Sequence, residues 1–71
     1  MRKQLKLARI SAELSQKELG DIVGVSQQTI AKWERGVSNP SHFRHMRAIS
    51  GALGEPVELL FPDVFIQSSV I

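Results

Sequence analysis

Gln16-Lys17-Glu18-Leu19-Gly20-Asp21-Ile22-Val23-Gly24-Val25-Ser26-Gln27-Gln28-Thr29-Ile30-Ala31-Lys32-Trp33-Glu34-Arg35 carries the architecture of this 71-residue chain. It reads as two short helices joined by a turn of about three residues, an arrangement in which the helices cross steeply. Ser15 precedes it and Glu18 follows three residues later, so hydroxyl and carboxylate can each take the other residue's backbone amide, a capping box. Leu19, Ile22 and Val23 are expected to face inward. Gly24 breaks the pattern because glycine enters the left-handed region at little steric cost, ending one helix and turning the chain. Ser26 can cap the next helix, expected from Ser26 to Arg35 with Ile30 and Trp33 inward and Gly36 as its stop. A steep crossing also needs a very small residue where the backbones approach, and Gly20 supplies it at a cost of about 1 kcal/mol in helix propensity.

Outward from that unit the helical signals continue. Before it, Leu7, Ile10 and Leu14 fall three and four apart, as do Leu5, Ala8 and Ala12, which predicts a first helix from about Arg2 to Glu13 with a broad apolar stripe. After it, Val37-Ser38-Asn39-Pro40 is loop by composition. A fourth helix is expected from about Ser41 to Gly54, with Phe43, Met46, Ile49 and Leu53 on one face. Pro56 opens a short fifth helix holding Val57, Leu59 and Leu60, and Pro62 closes it. Nothing alternates at strand period before residue 64. The expected fold class is all-α, a compact bundle of about five short helices. Residues 1–63 form the domain, and 64–71 are an apolar, β-branched C-terminal tail.

Length allows one domain. Without cysteine there is neither disulfide nor thiolate metal site, and the absence of a membrane-length apolar run makes a cytoplasmic protein the expectation. The net charge of +2 is modest, but it is unevenly spread. Residues 1–36 carry Arg2, Lys3, Lys6, Arg9, Lys17, Lys32 and Arg35 against Glu13, Glu18, Asp21 and Glu34. Residues 37–71 carry Arg44 and Arg47 against Glu55, Glu58 and Asp63, so the first half is basic and the second slightly acidic. Such a split suits a protein that turns one face towards a polyanion. His42 and His45 stand three apart on a helix, but zinc wants three or four ligands; no metal or other cofactor is expected. No phosphate-binding glycine loop, Ser/His/Asp arrangement or paired carboxylates can be argued, so an enzyme is not expected either.

The residues Leu14-Ser15-Gln16, Leu19-Gly20, Val23-Gly24-Val25-Ser26-Gln27, Ile30 and Trp33-Glu34-Arg35-Gly36 together resemble the Cro/lambda-repressor-like helix-turn-helix family. The pair Gln27-Gln28 resembles in particular the start of the recognition helix in lambdoid phage repressors. The resemblance covers about residues 5–61. It implies a sequence-specific, double-stranded DNA-binding regulator of transcription, a repressor acting as a homodimer on a palindromic operator. The second helix of the motif would lie in the major groove. Gln27 and Gln28 would then read base edges, a carboxamide matching adenine N6 and N7; Lys32 would favour guanine, and Thr29 a thymine methyl. Gln16 matches the family's phosphate anchor at a helix N-terminus, with Lys17 and Ser26 on the same phosphate side. Arg9 and Glu34 stand where some relatives pair charges between the first and third helices, and Arg9 is also a phosphate candidate. Asn39, His42 and Arg44 fall where relatives touch the backbone.

The chain departs from the family pattern at Glu13, where relatives often turn on glycine. It departs again at Gly20, where alanine is usual and the change is expected to be mild, and in the charge of the fourth helix. The alternative reading is an antitoxin-like protein with the same DNA-binding half, in which residues 57–71 bind a protein partner. A third keeps the fold as a protein-interaction domain without DNA. The tail Val64–Ile71 is expected to be covered, in a dimer seam or against the domain, because an exposed apolar strip invites association.

Overall fold

The computed structural model describes residues 1–64. Five helices follow one another: α1 (Lys3–Ser11), α2 (Gln16–Val23), α3 (Gln27–Arg35), α4 (Phe43–Leu53) and α5 (Val57–Leu60). The all-α bundle read from the sequence is the fold, and no strand occurs among the described residues.

Local chemistry sets the ends of the central pair. The Ser15 hydroxyl accepts from the Glu18 amide at 2.9 Å and the Glu18 carboxylate accepts from the Ser15 amide at 2.8 Å, the expected capping box. Gly24 ends α2 with φ +88°, its amide and that of Val25 both donating to the Gly20 carbonyl. Ser26 caps α3 by accepting from the Thr29 amide, and Gly36 ends it with φ +77°. At Gly20 a Cβ would lie 2.6 Å from the Val25 carbonyl oxygen. Glycine is therefore a requirement of this crossing as it stands, and replacing the family's usual alanine is not the mild change expected.

The first helix stops at Ser11, earlier than its periodicity suggests. Glu13 takes φ +59°, its amide donating to the Ile10 carbonyl and that of Leu14 to the Arg9 carbonyl. This is a Schellman closure with glutamate in the position glycine favours. The departure seen at Glu13 thus changes the residue and keeps the turn.

Leu5, Leu19, Ile30, Trp33, Met46, Ile49, Val57, Leu60 and Phe61 form the core. Four expected inward residues are substantially exposed instead: Leu7, Ile10, Ile22 and Phe43. For α1 the reason is angular. At 100° per residue the Leu7–Ile10 stripe lies opposite Leu5 and Ala8, so the two stripes cannot both face the core. The buried side carries Leu5, Ala8 and the side chain of Arg9. Pro62 does not close the chain's helical path: residues 62–64 make one more turn, and Val64 packs partly against the core. The remainder of the expected tail, residues 65–71, lies outside the described residues. No described helix is long and apolar enough to cross a membrane.

Candidate nucleic-acid interface

The capping box of α2, the Ser26 cap and the glycine turns leave α3 with one buried and one open side. Ile30, Trp33 and Glu34 are buried, whereas Gln27, Gln28 and Lys32 are exposed. Gln28 and Lys32, four apart, share one stripe of the helix, with Gln27 beside them at its first residue. Thr29 is half-buried, and its hydroxyl lies 2.9 Å from that of Ser26. The Ser26 oxygen therefore already caps the helix and holds Thr29.

Inside the motif, Glu34 is the meeting point of three elements. Arg9 of α1 donates through Nε to its Oε2 at 2.5 Å and through Nη2 to its Oε1 at 3.3 Å. Gln16, the first residue of α2, donates through Nε2 to the same Oε1 at 3.1 Å. Arg9 Nη1 completes the set on the Leu14 carbonyl at 2.8 Å. The expected pairing of Arg9 with Glu34 is present. The phosphate role given to Arg9 is not supported by its placement, because all three guanidinium nitrogens are engaged and the residue is buried. Gln16 is half-buried and held in place by this network. The capping box occupies the amides of Ser15 and Glu18, leaving those of Gln16 and Lys17 in the first turn without an intrahelical acceptor. Lys17 is exposed and pairs with Asp21 at 3.1 Å along α2.

Beyond α3 the chain folds back to make an open groove. Thr29, Lys32, Asn39 and His42 line it, so the structure collects four expected contact residues in one concavity. Trp33 and His45 form its wall, their ring centroids 5.9 Å apart, and His42 meets His45 edge-on at 5.7 Å. Arg44 is exposed on the first turn of α4 but is not part of the groove lining.

Two contributors escaped the sequence reading. His45 closes the groove wall, a role invisible without knowing that α4 docks on Trp33. Arg2 counted only as part of a basic half, yet it is buried. Its guanidinium donates to the Trp33 carbonyl at 2.7 Å, the Ser38 carbonyl at 2.9 Å, the Asn39 carboxamide oxygen, and both oxygens of Asp63 at 3.0 and 2.9 Å. It also lies 5.2 Å from the centroid of the Phe61 ring. The Arg2 hydrogen bonds hold the Asp63 carboxyl below its usual range, against a smaller opposing effect of burial.

Comparison with known proteins fits this arrangement. The helix-turn-helix family profile matches residues 5–60, whereas no curated protein and no solved structure matches the chain. The chain belongs to the helix-turn-helix family, and its two-helix motif is that of a DNA-binding regulator.

Proposed function

With helix-turn-helix membership as the premise, we propose that the chain is a repressor that binds a palindromic operator as a homodimer, reading bases with α3. The observation that carries this reading is the two-sidedness of α3. Its buried side is locked by Ile30, Trp33 and Glu34, while Gln27, Gln28 and Lys32 stand free on the other. Carboxamides suit adenine and the ammonium suits guanine in the major groove, which admits a helix. Thr29 lies at the edge of that surface and serves as an apolar contact through its methyl.

Phosphate contacts flank the reading helix in this proposal. Gln16, Lys17 and Ser26 grip one side, with the first-turn amides of α2 favouring an anion. Asn39, His42 and Arg44 grip the other. Homodimerisation follows from reach: a single recognition helix reads few base pairs, and the motif's dimers bind half-sites about 34 Å apart. Repression is the mode of the lambdoid phage repressors that the Gln27-Gln28 pair resembles.

Selection from random double-stranded DNA tests the proposal in one step. The expected product is an inverted repeat whose half-sites lie one helical turn apart, bound with strong salt dependence. An enriched sequence without two-fold symmetry overturns the homodimer. A reporter whose promoter overlaps the selected site should lose expression when the protein is present, and increased expression would exclude repression.

A further inference from the structure

Arg2 ties three separated parts of the chain to one guanidinium: the end of α3 at Trp33, the loop at Ser38 and Asn39, and the turn at Asp63. Its own backbone amide adds a bond to the Glu34 carbonyl at 2.7 Å. The consequence for the groove lies in Asn39. A guanidinium has only donors, so the Asn39 atom that meets Arg2 is the carboxamide oxygen. The NH2 group is thereby left for the groove that Asn39 lines with Thr29, Lys32 and His42.

We propose that Arg2 is a positioning residue for DNA binding, which turns the Asn39 carboxamide so that it presents a donor to a DNA phosphate. The proposal rests on the phosphate role given to Asn39 above. Arg2 itself does not touch DNA: it is buried, and its charge is spent on Asp63 and the carbonyls that end α3 and begin the loop. An asparagine freed from Arg2 would rotate, presenting its oxygen to the phosphate as readily as its NH2.

The test is a double-mutant cycle on the full chain with the operator found by selection. Wild type, Arg2→Met, Asn39→Ala and the double variant are titrated at several salt concentrations, at a temperature where denaturant curves show each to be folded. Asn39→Ala is expected to bind about tenfold more weakly and Arg2→Met by a smaller factor, about twofold or more, both equally for all sequences, and the double variant no more weakly than Asn39→Ala. The salt slope of Arg2→Met should stay at the wild-type value, because a buried cation releases no counterions. Additive losses, or a slope lowered by about one unit in Arg2→Met, overturn the proposal. Unchanged binding by Asn39→Ala would remove the phosphate role of Asn39 itself and the proposal with it, whereas a loss in Asn39→Ala with additivity removes only the proposal. Where Arg2→Met does not fold, proton NMR of the wild type decides. Contacts between the Arg2 guanidinium protons and the Asn39 side chain are expected, and their absence overturns the assignment.

Discussion

Arg9 and Glu34 form a charge pair at 2.5 Å that joins α1 to α3 where both side chains are almost withdrawn from water. Such a pair adds little net stability over an apolar isostere, yet removing one partner strands the other charge. Glu34→Ala should therefore cost about 3–5 kcal/mol, enough to unfold much of a domain this small. Arg9→Met combined with Glu34→Leu should cost much less than either single change. Urea melts of Glu34→Ala, of Arg9→Met and Glu34→Leu singly and of their double check this, and a loss under about 1 kcal/mol for Glu34→Ala would mean that water reaches the pair.

The same network couples stability to the proposed phosphate anchor. Gln16 hangs from Glu34 Oε1, so the double variant frees its side chain while sparing the fold. Its DNA affinity should fall although its melting curve stays near wild type. Fluorescence anisotropy with the operator measures this; full affinity would show that Gln16 needs no orientation from Glu34.

Glu13 offers a gain in stability. At φ +59° a side chain costs about 1–2 kcal/mol, part of which glycine returns through the greater freedom of the unfolded chain. Glu13→Gly should stabilise by about 0.5–1 kcal/mol, a rise of a few degrees in Tm for a domain of this length. Glu13→Val should move Tm in the opposite direction.

Those two sites mark what sequence reasoning could and could not reach. The capping box at Ser15 and Glu18 and the turns at Gly24 and Gly36 were legible because their partners are within a few residues. Gln27 and Gln28 came into view through the family resemblance, and the open side of α3 on which they stand follows from Ile30 and Trp33 turning inward. Leu7 and Ile10 misled because periodicity reports an apolar stripe without saying which of two opposite stripes meets the core. Arg2, Phe61 and Asp63 were illegible for a different reason. Their burial and pairing depend on bringing residue 2 against residues 61–63, and no local pattern records that.

Asp63 ties the fold to pH. Arg2 lowers its carboxyl pKa in the folded chain, so the folded state binds this proton less readily than the unfolded one. The resulting stability is present above the ordinary aspartate range and is lost as pH falls through the lowered folded value. Asp63→Asn should lower the denaturation midpoint at pH 7, and the gap to wild type should narrow as the pH drops below about 4. A gap of constant size would show that the carboxylate charge contributes nothing.

The division of labour on α2 and α3 makes the most direct functional prediction. A side chain that reads a base edge matters for one base pair, whereas one that meets a phosphate matters for every sequence. Gln27→Ala and Gln28→Ala should each cost about 1–3 kcal/mol on the operator and relax preference at one position of each half-site. Their salt slopes should be unchanged, because a carboxamide displaces no counterion. Lys17→Ala should weaken all sequences alike and lower the slope by somewhat under one unit, since Asp21, 3.1 Å away, already offsets part of the charge. Binding isotherms on operator and point-mutated sites, repeated across salt, separate the classes. The split between readers and anchors fails if the glutamine variants lose affinity uniformly across sites, and it fails equally if Lys17→Ala alters base preference.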